Sequence, residues 1–563
     1  MSKKLVVKLL KKALEEKKVK IKEEEIEKYV ETPPSIDLGD YAFPCFFLAE
    51  QLKQSPNQIA LELREKIGNE PPVDFDDVQT QGAYVNFFLD RKNVARKVVW
   101  EAITQKKNFG KSKIGKNKKI VVEFSSPNIA KPFGIGHLRS TILGNALANI
   151  AEFVGYKAVR INYLGDWGTQ FGKVIFGYKK FGSEKKLLKN PIPHLFDIYV
   201  KANKKIYEEK SREWFKKLEE GDKESKMIWK LARELSLKEF KKLYKEMGIE
   251  FDVDDAESKH NRRIKNVVQL LQKKELLKKS KGAMIVDFKT KKLGVCIIQK
   301  SDGTTIYATR DLAAAIARYE KYKFVKMIYE VGQEQTLYFQ QLFKVLELMG
   351  HKWAKDCVHV EHGLYLDKDG KKFSTRKGKT VFMSEILEKT KILASREIKK
   401  RTNKISKKEL EERARKIAIA AIFYGDLKNN RKNNMVFDLN KFVSFEGDTG
   451  PYIQYSYARA SSILRKTKNK EKFQIYDLEP KELELATKLS KFPDIVLNSY
   501  NNLNPSVIAN YSYQLAQIFN EFYHACPVIG SKQEAFRLAL IEAFRQVLKN
   551  SLGLLGIETL EEM

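Results

Sequence analysis

Cysteine is scarce in this chain: four in 563 residues, at Cys45, Cys296, Cys357 and Cys526, with no C-x-x-C pair among them. That scatter argues against a paired-cysteine zinc site and against a disulfide framework, and it fits a reducing compartment. Long apolar runs are missing too. A stretch such as 417–423 is far short of the roughly 20 residues that span a bilayer. The start, Met1-Ser2-Lys3-Lys4, never reaches the roughly 7–15 apolar residues of a signal-peptide core. A cytoplasmic protein with no membrane partner is expected. Acidic residues are in deficit, 72 against 105 Lys and Arg, which leaves a formal charge of +33. Such a surface attracts polyanions, nucleic acid foremost, although a merely solvated lysine-rich surface has the same composition.

At about 100–200 residues per domain, a chain of 563 residues suits three or four domains. Residues 1–112 read as a small N-terminal α/β module: a charged amphipathic helix, the breaker Thr32-Pro33-Pro34, then the strand-like run Gly82 to Leu89. The lysine- and glycine-rich stretch Lys106 to Lys119 reads as a linker. From Ile120 a buried strand leads into a turn, then a helix with Leu138, Ile142, Ala146, Ile150 and Val154 on one face, a stop at Gly155 and a second strand from Ala158. That unit opens a doubly wound parallel, Rossmann-like sheet, expected over 113–385 and interrupted by a helical insertion at about 175–280. Residues 386–450 read as a helical linker and 451–563 as an all-helical bundle. The fold class is therefore α/β multidomain.

Chemistry concentrates in two places. The turn Lys131-Pro132-Phe133-Gly134-Ile135-Gly136-His137 puts unpaired amides, a histidine and a lysine at a helix N-terminus, where phosphate is stabilised. Gly134 and Gly136 permit close approach; a glycine-rich turn with no ligand is the plainer alternative. Arg139 stands where a dinucleotide fingerprint has its third glycine, so NAD and FAD are excluded, and no G-x-x-x-x-G-K-[ST] occurs. The second place is Lys371 to Lys379, with five basic residues and two hydroxyls in nine positions, suited to clamp a leaving pyrophosphate. His359 and His362 form an H-x-x-H without a third ligand nearby in sequence, so a structural role is expected and no protein-held metal.

A glycine-histidine turn followed by such a loop resembles the class I aminoacyl-tRNA synthetases, and more closely the arginyl-tRNA synthetase family. The resemblance is carried by Glu123-Phe124-Ser125-Ser126-Pro127-Asn128, Tyr163 to Gln170, Tyr307-Ala308-Thr309-Arg310-Asp311-Leu312-Ala313, Val331 to Gln335, Phe373 to Gly378, and Gly447-Asp448-Thr449-Gly450-Pro451-Tyr452, in that order. It implies ATP-dependent ligation of L-arginine to its tRNA through an arginyl-adenylate, for protein synthesis. ATP is a substrate accompanied by Mg2+, tRNA is needed even for activation, and a monomer is expected.

By the same resemblance His137, Lys372 and Lys131 are the catalytic residues. Gly134, Gly136, His137, Lys372, Ser374, Thr375 and Arg376 bind ATP, and Lys131 stands in for the second lysine that the loop lacks. Gly134 replaces the family's usual first histidine. Arginine is expected against Ser126, Pro127, Asn128, His137, Glu257, Tyr307, Asp311 and Gln335. Three of these have plain alternatives: Asp311 as a helix N-cap, Glu257 as a surface acid and Gln335, taken as four residues into a helix, as a surface amide. For tRNA the resemblance implies elbow contacts from residues 1–112, stem contacts from 386–450 and anticodon contacts from 451–563. Tyr452, Tyr455, Tyr457 and Arg459 are its candidates for stacking and backbone contact, unless the tyrosines are simply buried.

Overall fold

In the computed structural model the described residues are 2–68, 72, 74–290, 292–301, 306–367, 369–371, 382–402, 404–437, 444, 446–467 and 477–563. The N-terminal module is an antiparallel sheet in the order β1-β3-β2, formed by β1 (Tyr41–Pro44), β2 (Phe75–Gln81) and β3 (Tyr84–Leu89). Helices Ser2–Glu16 and Pro56–Ile67 close its core over Leu10, Leu14, Phe43, Ile59, Leu63 and Phe87. The next helix, Arg91–Gln105, turns its apolar face elsewhere. Ala95, Val98 and Ala102 join Leu485, Leu489 and Phe492 of the C-terminal helices in another core.

The central sheet is fully parallel. It comprises β4 (Lys119–Glu123), β5 (Lys157–Leu164), β6 (Val253–Ala256), β10 (Lys326–Gly332) and β11 (Cys357–His362), in the order β11-β10-β4-β5-β6. Both faces of β4 are covered, which is why Ile120-Val121-Val122 is a continuous apolar run with every member buried. The chain runs from β4 out to β6 and then returns to the other side of β4 for β10, so the winding reverses between β4 and β10. Ligands of open parallel sheets bind in the crevice beyond the carboxyl ends of the strands at such a reversal. Gly144 brings helix Ile135–Phe153 down onto the sheet: a Cβ there would lie 2.1 Å from Cβ of Phe124.

The inserted helices run from Thr169 to Met247 around their own core of Phe171, Ile175, Leu195, Phe215 and Ile228. Strand β6 lies within the stretch that sequence periodicity assigns to the insertion. Only four residues long, Val253-Asp254-Asp255-Ala256 carries two acids and has no apolar signature. It is held by tertiary pairing, since Asp255 accepts from Nη2 of Arg318 at 3.1 Å and meets Nε2 of His260 at 3.0 Å. A small antiparallel sheet follows, β7 (Lys278–Ser280), β8 (Ala283–Asp287) and β9 (Val295–Gln299), separate from the parallel one.

Strands β12 (Tyr365–Leu366) and β13 (Met435–Val436) pair beyond β11. Helices Met383–Arg401 and Lys407–Leu427 then lead to the C-terminal helices, from Gly450–Lys466 to Glu534–Leu554. Within the run Gly447 to Tyr452, Asp448, Thr449 and Gly450 each have a structural reading. Asp448 accepts from the hydroxyl of Tyr424 and from Nζ of Lys428 (3.1 Å), and Oγ1 of Thr449 caps the helix by accepting from N of Tyr452 (3.3 Å). Gly450 allows the helix crossing, because a Cβ there would sit 2.1 Å from the carbonyl oxygen of Ala420.

Candidate active site

Every candidate catalytic or substrate-binding residue within the described part lies at the carboxyl edge of the central sheet. After β4 the chain enters a tight segment in which Ser125 (φ +70°), Ser126 (φ +46°) and Ala130 (φ +58°) adopt left-handed conformations. Such angles cost L-residues on the order of 1 kcal/mol or more each and persist only where surroundings enforce them. Here the amide of Ser125 donates to Oγ of Ser140 (2.9 Å), that of Ala130 to Oγ of Ser236 (2.8 Å), and Oγ of Ser125 lies 2.7 Å from the hydroxyl of Tyr244. The constrained segment presents Asn128. Its Oδ1 accepts from Nε2 of Gln170 (3.1 Å), whose Oε1 accepts from Nζ of Lys131 (3.0 Å). Gly165 must be glycine for this, since a Cβ there would lie 2.3 Å from Oδ1 of Asn128. Gln170, which the sequence offered only as part of a matching stretch, thus joins the amide and the lysine.

Gly134 is the N-cap of helix Ile135–Phe153, at an ordinary extended φ of −91°, so its glycine is not demanded by backbone angle. Gly136 faces open space, with nothing within 4 Å of where a Cβ would stand. His137 is half-buried, and its Nδ1 is enclosed without a hydrogen-bond partner. Burial, followed by the Lys131 ammonium, holds its pKa down to about 4, so the imidazole is neutral at neutral pH. It can share a hydrogen bond with a phosphate oxygen but brings no charge. Charge comes from Lys131, whose Nζ also lies 4.9 Å from the ring centre of Tyr199 on the insertion.

Lys372, Ser374, Thr375 and Arg376 fall outside the described residues, but the chain on either side is anchored at the glycine turn. Phe382 bridges to Gly134, and the amide of Met383 donates to the carbonyl of Phe133 at 2.9 Å. Upstream, the fully buried guanidinium of Arg139 donates to the carbonyls of Gly363 (2.9 Å) and Asn433 (2.6 Å) and lies 3.4 Å from Oδ1 of Asp426. The residue that breaks the dinucleotide fingerprint therefore fastens the approach to the cationic loop.

Across the crevice the site is acidic. Asp311 is the fifth residue of helix Tyr307–Tyr322, whose N-cap is Ile306, so it is not a cap. It accepts from the hydroxyl of Tyr338, while its Oδ1 is buried and unpartnered. Burial raises its pKa against the pull of Tyr338, Arg318 and Tyr163. Glu257 follows β6 directly and is no surface acid: burial, then Asp311, lift its carboxyl to about 8, with Asp166 adding to the repulsion and Arg310 opposing it. Neither Asp311 nor Glu257 has an ion pair among the described residues. Of the guanidiniums that act on them, that of Arg318 is engaged by Glu123 and Asp255, and Nε of Arg310 donates to Oδ1 of Asn261 at 3.2 Å. Two desolvated carboxylates without an ion pair are costly unless a cation joins them. Tyr307 is exposed and edges against Tyr338 at 5.5 Å between ring centres.

Gln335 is exposed and ends a short turn, Gln333–Gln335, because the helix begins only at Thr336; the sequence reading had set it four residues into that helix. Tyr163 and Tyr338, which close the acidic pocket, carried no signal in the sequence beyond their neighbourhood. His359 and His362 are structural, with Nε2 of His359 3.0 Å from the carbonyl of Val331 and Nδ1 of His362 2.7 Å from Oε1 of Glu330. Among the described residues no three His, Cys, Asp or Glu side chains converge as a metal site, all four cysteines are buried and free, and no helix is long and apolar enough to cross a membrane.

On the C-terminal bundle, Tyr452, Tyr455 and Arg459 line a cavity of about 610 Å3 with Arg401, Asn520 and His524. The Arg459 guanidinium lies 4.9 Å from the Tyr455 ring centre and 5.1 Å from that of Tyr523. Tyr457 corrects the sequence reading. It is 1% exposed, with its hydroxyl 3.1 Å from Oε1 of Glu561, because the helix turns that position into the core.

A parallel sheet whose winding reverses, with a strained loop, a glycine-started helix and an acidic pair beyond its strands, has the arrangement of a class I synthetase fold. Comparison with known proteins narrows this to one branch. The profile of class I tRNA synthetases (R), catalytic domain, matches residues 98–439, that of the arginyl-tRNA synthetase N-terminal domain residues 4–89, and that of the DALR anticodon-binding domain residues 453–563. An arginine–tRNA ligase of Clostridium acetobutylicum is 44% identical over 98% of this chain and 100% of its own length, and one of Enterococcus faecalis is 44% identical over 96% of each. The solved arginyl-tRNA synthetase of Thermus thermophilus superposes with a TM-score of 0.86 at 25% identity, covering 100% of both chains. The chain belongs to the arginyl-tRNA synthetase family.

Proposed function

We propose that this enzyme charges tRNA with arginine in two steps at the carboxyl edge of its parallel sheet. In the first, the arginine carboxylate attacks the α-phosphorus of ATP, giving arginyl-adenylate and pyrophosphate. In the second, a hydroxyl of the tRNA 3′-terminal ribose attacks the arginyl carbonyl and AMP leaves. No protein nucleophile is needed, so catalysis consists of positioning and charge stabilisation. The observation that carries the reading is the pair Asp311 and Glu257, two desolvated carboxylates with no ion pair among the described residues, which suit one planar guanidinium.

Tyr307 forms the outer wall of that pocket. Asn128, shaped by Ser126 and Pro127, and Gln335 take the polar end of arginine. Gly134, Gly136 and neutral His137 meet the phosphates, while Lys131 and, from the loop, Lys372 with Ser374, Thr375 and Arg376 stabilise the α-phosphate and departing pyrophosphate. Mg2+ would accompany ATP and offset the charge of its phosphates. Residues 1–112 meet the tRNA elbow and 386–450 its stem. Residues 451–563 meet the anticodon, with Tyr452, Tyr455 and Arg459 on the contact face. The enzyme works as a cytoplasmic monomer. Aminoacylation assayed with tRNA present and each amino acid in turn tests the reading: charging with arginine alone supports it, and charging with another amino acid, or tRNA binding without charging, overturns it.

A further inference from the structure

We infer that Asp166 is a positioning residue for the arginine pocket: it holds the turn that carries Glu257 and fastens that turn to the inserted helices. The inference rests on the reading of Glu257 as a guanidinium contact. Asp166 follows β5 at the carboxyl edge of the sheet and is fully buried. Its Oδ1 accepts from the amide of Ser258 at 2.9 Å. Its Oδ2 accepts from Oγ of Ser258 at 2.7 Å and from Nε of Arg233 at 3.1 Å. Its backbone carbonyl accepts from Nε1 of Trp229 at 2.8 Å. Ser258 is the residue after Glu257, so the Asp166 carboxylate holds both the amide and the hydroxyl of Glu257's immediate successor.

Trp229 and Arg233 are four residues apart on the inserted helix Lys223–Met247, so they share a face. Both are directed at Asp166. A buried carboxylate is tolerated only while its donors stay in place. A displacement of that helix would withdraw the Arg233 donor from the carboxylate and the Trp229 donor from the Asp166 carbonyl, and the carboxylate's remaining bonds run to Ser258, next to Glu257. Groups that hydrogen-bond a ligand-contacting segment set its geometry in this manner. Asp166 also acts through space. The charged groups facing Glu257 are Asp311 and Arg310 from helix Tyr307–Tyr322 and Asp166 from the loop after β5, and Asp166 adds to the repulsion.

The experiment uses full-length Asp166→Asn, Ser258→Ala, Arg233→Ala and Glu257→Gln, with separate KM values for arginine and ATP, thermal unfolding and a pH profile. Asp166→Asn is expected to raise the arginine KM about tenfold or more, the usual cost of losing a group that orients a ligand contact, with the ATP KM within about twofold. Arg233→Ala and Ser258→Ala should move the arginine KM the same way by less, and they carry the test if Asp166→Asn does not fold. Because a negative charge beside Glu257 is removed, the acid limb of arginine kcat/KM should shift to lower pH in Asp166→Asn, which a merely structural defect would not do. Adding Asp166→Asn to Glu257→Gln should raise the arginine KM little further. An unchanged arginine KM, equal losses for ATP and arginine, or fully multiplicative effects in the double variant would overturn the inference. If Glu257→Gln alone leaves the arginine KM at the wild-type value, the reading of Glu257 itself falls. If Glu257→Gln raises it and Asp166→Asn does not, only the positioning role falls.

Discussion

The two sides of the crevice differ in sign and in how fully their groups are paired. On the acidic side, Asp311 and Glu257 have no ion pair among the described residues, both are displaced upward in pKa, and the buried guanidiniums of Arg318 and Arg310 bond to Glu123, Asp255 and Asn261. On the glycine-turn side, Lys131 is already linked through Gln170 to Asn128, and His137 is neutral. Under the proposed function the first side meets the guanidinium and the second meets the phosphates. Removing a group from the first side should therefore abolish recognition, whereas removing one from the second should slow chemistry.

Asp311→Asn should have the largest effect. Deleting one partner of a desolvated charge pair costs about 2–5 kcal/mol, so arginine kcat/KM should fall by roughly 100-fold or more while the ATP KM holds. A comparable rise in the ATP KM would break the distinction between the sides. Lys131→Ala comes next: loss of one preorganised charge at the α-phosphate should lower the rate of ATP–pyrophosphate exchange by about tenfold or more, with a smaller change in the arginine KM. An unchanged rate would remove Lys131 from the chemistry.

The acidic side also predicts a pH signature. Glu257 must be ionised to meet a guanidinium, and in the empty pocket its pKa is raised to about 8. Below that value binding must expel a proton, so arginine kcat/KM should fall as pH drops, approaching tenfold per unit, as linkage requires. Glu257→Gln should flatten that limb, and a wild-type profile already flat from pH 6 to 8 would contradict the assignment. The smallest effects should come from outside the crevice. Arg459→Ala should weaken tRNA binding alone, and Tyr457→Phe should leave tRNA affinity unchanged while costing about 1 kcal/mol of stability for one hydrogen bond. Equal tRNA defects in the two would mean that the bundle presents a different face.

Much of the fold could be read from local patterns. The continuous apolar strand at Ile120 and the helix of Leu138 to Val154 required only periodicity, because burial on both faces of a parallel strand and on one face of a helix leaves that mark. Strand β6 left none, since its stability comes from pairing with β5 and from the Asp255, His260 and Arg318 contacts. The site divides similarly. Glycines and cations at a helix start announce a phosphate site, whereas Glu257, 54 residues before Asp311 in the chain, could be a surface acid until folding sets the two together.

By itself, then, the sequence determined the chemical inventory: the glycine turn, the cationic loop, the basic surface and the ordered motifs that mark the family. Tertiary structure decided which of those groups are paired and which are left in want of a partner. Tyr457 went to the core while Tyr455 stayed half-buried at a cavity. Arg318 was engaged by Glu123 and Asp255, while Asp311 and Glu257 form no ion pair among the described residues. The reason is physical: residue type fixes a group's charge and hydrogen-bonding capacity, but desolvation and the identity of its neighbours, which set whether that capacity is already satisfied, exist only once distant segments pack together.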